Sequence, residues 1–175
     1  PRYFSSAASD VYKRQNLLTS NNLFFLGVLG KPHALNGFLY LNQDIYFRTF
    51  DLTGINVFIN GNSFKIQKFK THLKNRYLIK FEGLDSISDI EAFRNQNIYI
   101  SSEQINTFIS NGLPWPGFFI GKKLNDKYIV KNYFYADKLI YLTIDSLQEV
   151  VIPFTDTFFE YRDNELNLIN FDLVQ

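Results

Sequence analysis

Hydrophobic and polar positions along this chain alternate mostly with the two-residue period of strands. Residues 23–29 form a continuous apolar run, the mark of a buried strand. The segment 31–37, Lys-Pro-His-Ala-Leu-Asn-Gly, reads as a loop punctuated by Pro and Gly, and strand character resumes at Phe38–Leu41. Residues 55–59 and 64–69 flank Asn60-Gly61, a pair that tolerates positive φ and predicts a tight hairpin. Strict alternation in the second of these strands puts Phe64, Ile66 and Lys68 on one face and Lys65, Gln67 and Phe69 on the other. In residues 76–82 Tyr77, Ile79 and Phe81 alternate with Arg76, Leu78 and Lys80.

The period then changes. Ser86-Ile-Ser-Asp89 has the form of a capping box and opens a short helix with Ile90 and Phe93 on its apolar face. Residues 98–100 return to strand. A second short helix is expected to carry Ile105, Phe108 and Ile109 and to stop at Asn111-Gly112. Beyond Leu113-Pro-Trp-Pro-Gly117, the best linker candidate, come five short apolar segments, the last with a turn at Asp163-Asn164. That spacing predicts an all-β second domain of barrel type. The fold class is thus mainly β, two small barrels with short helices. Its parts are a leader over 1–21, a barrel over 22–101, a linker with a short helix over 102–116 and a second barrel over 117–175. The leader has no periodic apolar face and is expected to add nothing to fold or binding.

Composition narrows the chemistry. Without cysteine there is no disulfide framework, thiolate metal site or cysteine nucleophile. The two histidines, His33 and His72, lie in no zinc-binding spacing, so neither a metal nor a catalytic residue is assigned. Residues 27–31 resemble a phosphate loop only superficially: the spacing is wrong, and Pro32 removes a donor a phosphate cradle would use. No nucleotide fingerprint, nucleophile elbow, signal peptide or transmembrane run appears, so no cofactor is assigned and a cytoplasmic, non-enzymatic protein is expected.

Charge changes the picture further. Net charge is +1, but residues 1–134 hold 16 Lys and Arg against 9 Asp and Glu, and residues 135–175 hold 2 against 8. Between Leu52 and Phe81 stand Lys65, Lys68, Lys70, Lys74, Arg76 and Lys80 with no acid, interleaved by Phe69, His72 and Tyr77. This is either a phosphate-binding surface or a solvated hairpin face with snorkelling lysines. The acid-rich end would repel RNA and attract a basic protein.

The motif Gly27-Val-Leu-Gly-Lys-Pro-His-Ala-Leu-Asn-Gly37 resembles the N-terminal signature of the RimM family of ribosome maturation factors. Residues 55–59, Phe81-Glu-Gly-Leu-Asp85, Glu91-Ala-Phe-Arg94 and 98–100 follow in the family's order. Phe119-Ile-Gly121 and Val151-Ile-Pro-Phe154 are similar to motifs of its second, PRC-type barrel. Two departures stand out: Ala34 replaces a Gly of the signature, and Pro114-Trp-Pro116 stands where the family usually has Tyr-Tyr-Trp.

The resemblance implies a translation-protein-like first barrel, no cofactor, and binding to the head of the immature small subunit. There 16S rRNA and a basic ribosomal protein would be the partners of a monomer. Lys31, His33, Lys65, Lys68, Lys70, Lys74 and Arg76 are the expected RNA-binding residues. Trp115, Phe118 and Phe119 are the expected protein-binding residues, with Trp115, held extended between two prolines, as an exposed anchor. The competing reading is a generic RNA-binding module acting elsewhere in translation.

Overall fold

A computed structural model describes residues 22–173; the leader expected over 1–21 lies outside the described residues. The chain divides into two compact units between Ser102 and Glu103.

The first unit is a closed barrel of six strands in the order β1-β2-β5-β4-β3-β6. These are β1 (Leu23–His33), β2 (Phe38–Gln43), β3 (Asn56–Ile59), β4 (Asn62–His72), β5 (Arg76–Phe81) and β6 (Asn97–Ser101). Closure relies on two long strands that change partner along their length. β1 pairs first with β6 and then with β2, and β4 pairs first with β3 and then with β5. Register shifts lie where they bend, at Phe25/Gly27 and Leu29/Pro32 in β1 and at Ile66/Lys68 in β4. Such bulges bend a strand and sharpen its twist, which a small barrel requires.

Two local expectations change as a result. Lys31, Pro32 and His33 belong to β1, and the loop shrinks to the turn over 34–37. Pro32 is tolerated inside the strand because it sits at the bulge, where the ladder is already interrupted. The β4 bulge breaks the strict alternation after Ile66. Phe69 pairs with Ile79, a fully buried core residue, while Lys68 and Lys70 are both exposed.

The interior is largely aliphatic, with Leu29, Leu39, Leu41, Val57, Ile59, Ile66, Ile79, Ile98 and Ile100 buried alongside Phe81. Each such side chain contributes roughly 1.5–3 kcal/mol on leaving water. Asn60-Gly61 makes the predicted hairpin, both residues at positive φ. α1 (Ile87–Ile90) is a single turn closed by the predicted capping box between Ser86 and Asp89.

In the second unit β9 (Lys123–Leu124), β10 (Tyr128–Ala136), β11 (Leu139–Asp145) and β12 (Glu149–Pro153) form one sheet, ordered β12-β11-β10-β9. β7 (Ile109–Ser110) pairs with β8 (Leu113–Pro114), and β13 (Phe159–Arg162) with β14 (Glu165–Leu168). The unit is therefore a half-barrel, one sheet with two hairpins, rather than a closed ring. Where a linker with a short helix is expected, Ser102–Thr107 is a 3-10 turn, and Asn111-Gly112 turns the β7–β8 hairpin instead of stopping a helix. Asn125 acts as a strand surrogate: its side chain donates to the Leu168 carbonyl (2.7 Å) and accepts from the Leu168 N–H (2.9 Å). No helix among the described residues is long and apolar enough to cross a membrane.

Candidate nucleic-acid interface

In the first unit Leu39, Leu41, Ile79 and Phe81 are buried and face the barrel interior, so the residues between them turn outward. Directly paired residues share a face, and the registers set them in rows. One row runs His33, Phe38, Lys80, Lys68; the next Tyr40, Leu78, Lys70; a third Arg76, His72. The basic residues of β4 and β5 thus share an outer surface with rings from β1 and β2. The bulge at Ile66/Lys68 makes this possible, because it turns Lys68, Lys70 and His72 outward together.

Contacts across this surface follow one diagonal. Lys70 Nζ lies 4.4 Å above the Phe38 ring and the Arg76 guanidinium 5.7 Å from the Tyr40 ring centre. His72 lies 6.0 Å from Tyr40 and 4.5 Å from His33, ring to ring. The Tyr40 hydroxyl and His33 Nδ1 form a hydrogen bond of 3.0 Å. A strongly twisted sheet is a saddle, and one diagonal of a saddle is concave. Along it, outward side chains from separated strands converge. Leu78, beneath them in the middle row, is fully buried although it is on the outer side. Gly30 completes the arrangement: a Cβ there would come within 3.0 Å of the Tyr40 Cβ.

The expected RNA-binding residues therefore divide. His33, Lys70 and Arg76 join one cluster, with Lys68 in the adjoining row. Lys31 is exposed at the β1 bulge, and Lys74 in the turn between β4 and β5. Lys65 pairs loosely with Glu82 at 3.8 Å. Lys80, only 13% exposed, is held by Asp85 at 2.6 Å and is the cation least available to a ligand. Phe38, Tyr40 and His72 are missing from the expected set. Period-two alternation against Leu39 and Leu41 marks Phe38 and Tyr40 as outward, so the signal for these two was present.

The expected protein-binding residues require a correction. Trp115 is 1% exposed, Phe118 0% and Phe119 3%, so none is a surface anchor. Trp115 meets Phe118 and Tyr133 edge-on at 5.3 and 6.1 Å. Its neighbouring prolines hold the chain in an extended entry to a 3-10 turn (Pro116–Phe119), which carries the indole into the core of the second unit. Gly117 packs so tightly on the indole that a Cβ would overlap it. Among the described residues no group of three His, Cys, Asp or Glu is placed to hold a metal.

Fold and face together define a class: two-unit, all-β proteins whose closed N-terminal barrel carries a basic outer surface. Residues 24–105 match the RimM N-terminal domain. Similar proteins include the ribosome maturation factor RimM of Acholeplasma laidlawii, 26% identical over 81% of this chain and 91% of that one. The ribosome maturation factor RimM of Bacteroides thetaiotaomicron is 21% identical over 90% and 93%. Over its first unit the chain is thus similar to the RimM family, and the likeness to named RimM proteins extends into the second unit. Among solved structures, the RimM N-terminal domain from Thermus thermophilus matches at 18% identity and TM-score 0.39, over 46% of this chain and 91% of that one. A Pseudomonas aeruginosa protein described as a 16S ribosomal RNA processing protein RimM matches at 13% identity and TM-score 0.41, over 83% and 96%.

Proposed function

We propose that this protein is a ribosome maturation factor acting in assembly of the small subunit head and in 16S rRNA processing. In this reading it is a cytoplasmic monomer without enzymatic activity. The first unit contacts 16S rRNA of the immature particle through Lys31, His33, Lys65, Lys68, Lys70, Lys74 and Arg76. The acid-rich second unit takes a basic ribosomal protein of the head, by charge complementarity rather than through Trp115. The names borne by the relatives support the general role. The observation that carries the RNA contact is the convergence of Lys70, Arg76, His33 and Lys68 on one outer surface of the barrel.

Two measurements test it. In sedimentation of cell lysate the protein should travel with free small subunits; travel with translating ribosomes would favour an RNA-binding module acting elsewhere in translation. Replacing Lys65, Lys68, Lys70, Lys74 and Arg76 together by Ala should weaken binding to small-subunit particles. If four of them meet phosphates, the log–log salt slope should fall by on the order of 3–4 units. An unchanged slope would mean the charges are merely solvated. Lys80→Ala alone should change the slope by well under about one unit, because Asp85 already neutralises it.

A further inference from the structure

We infer that the outer surface of the first unit takes an unpaired stretch of RNA, with bases stacked on Tyr40 and Phe38 and the adjoining phosphates held by Arg76 and Lys70. This rests on the reading above that the surface binds RNA, and it specifies which form of RNA.

A duplex offers a protein phosphates and 2′-hydroxyls, and its bases are already stacked on one another. Lysines on solvent-facing strands would suffice to meet it. The surface here has something a duplex would not use. Four rings, His33, Phe38, Tyr40 and His72, lie on the outer side of a barrel whose interior is largely aliphatic, and all four remain partly exposed. Three of them, His33, Tyr40 and His72, pack on one another. Tyr40 is tied to His33 by the hydrogen bond and flanked by Gly30, and Leu78 is packed beneath. A ring set at the surface is a platform on which unpaired bases of any identity can stack.

The cations give the second part of the argument. Lys70 lies over Phe38 and Arg76 by Tyr40, so in the free protein each ring is attended by the end of a long, flexible side chain. Such contacts at a surface are weak, weaker than the stacking of a base on the same ring. An unpaired nucleotide brings both groups needed for an exchange: its phosphate draws the cation off, and its base takes the ring face. A duplex can supply only the phosphate. Asp85 and Glu82 are drawn to Lys80 and Lys65, so among the described residues neither Lys70 nor Arg76 is held by a carboxylate that RNA would have to displace.

The test uses the full chain and a labelled RNA strand of about 12 nucleotides, alone or annealed to its complement, at one salt concentration. The single strand should bind at least about tenfold more tightly than the duplex, and Tyr40→Leu and Phe38→Leu should each weaken it about fivefold or more. Neither variant should alter the salt slope, whereas Lys70→Ala and Arg76→Ala should each lower it by about one unit. A measurement on the unaltered protein guards against loss of fold in the variants. A strand carrying 2-aminopurine should lose fluorescence on binding, as that base does when it stacks. Equal or tighter binding of the duplex, unchanged affinity in both Leu variants, or an unquenched 2-aminopurine would each overturn the inference while leaving RNA binding in place. Failure of both RNA forms to bind would overturn the functional reading with it.

Discussion

His33 and His72, the only histidines in the chain, lie with ring centres 4.5 Å apart although β2 and β5 stand between their strands in the barrel. The contact measures how far the sheet coils. A flat sheet would hold outward side chains on strands three ladders apart well over 10 Å from each other, given about 4.8 Å per ladder. Coiling therefore turns what a register map draws as a broad basic plane into a narrow strip, where Tyr40, Arg76 and Lys70 crowd the same diagonal.

Ala34 adopts φ +57° in the turn between β1 and β2, at the position where the RimM signature has glycine. The left-handed region costs a residue with a Cβ roughly 1–2 kcal/mol, partly offset by the smaller unfolded-state entropy of Ala. Ala34→Gly should therefore raise stability by about 0.5–1 kcal/mol, seen as a higher urea midpoint with unchanged cooperativity. A lower midpoint would show that the turn relaxes without strain. Gly37, three residues on, cannot be exchanged in the other direction: it has φ +74°, and a Cβ would overlap the Leu84 carbonyl.

Gln43 closes β2 on the interior side, 8% exposed, and its amide has no hydrogen-bond partner among the described residues. A buried polar group left unsatisfied costs about 1–3 kcal/mol. Gln43→Met keeps the volume and removes the amide, so it should stabilise the first unit by about 1 kcal/mol. Equilibrium unfolding followed by far-UV circular dichroism measures this, and a loss of stability would show that the amide is satisfied in solution.

The carboxylate of Asp89 accepts from the Ser86 hydroxyl and from the Ser86 and Asp85 N–H groups, and these bonds hold its pKa below the ordinary aspartate value. A depressed folded-state pKa adds stability that is fully present above the unfolded value, about 3.9, and is lost as pH falls through the lower folded value. Asp89→Asn should thus have a lower thermal midpoint than the parent at neutral pH. The difference should narrow as pH falls below the ordinary aspartate range. A difference independent of pH would mean that the cap acts through geometry alone.

Much of this architecture is written locally in the sequence. Asn60-Gly61, Asp163-Asn164 and the Ser86–Asp89 box each specify their own turn or cap with side chains close in sequence, and each forms as read. What alternation could not give is the bulge after Ile66. A single extra residue reverses every later facing in β4, and nothing within the segment marks where it falls. The same limit applies to Lys31-Pro32-His33, whose Pro signals a loop until the bulge makes room for it within β1. Of the candidate site, the basic character was legible in the run from Lys65 to Lys80. Its grouping was not, because the contact of His33 with His72 depends on how the sheet coils. The burial of Trp115 is hidden from the sequence for a different reason: flanking prolines specify an extended backbone but not whether that backbone is at the surface.

That burial gives Trp115 a testable role opposite to an exposed anchor. The indole is enclosed by Phe118, Tyr133 and the Gly117 backbone, and truncating a side chain of this size in a packed core costs about 3–5 kcal/mol. Trp115→Ala should shift the unfolding of the second unit to much lower urea, and Trp115→Phe, which refills part of the space, should recover part of the loss. Because Trp115 is the only tryptophan, the unaltered protein reports on the same core directly. Its emission should be blue-shifted when folded and move to longer wavelength at the transition of the second unit. Native emission already at the wavelength of free indole in water, together with an unshifted midpoint in Trp115→Ala, would return the residue to the surface.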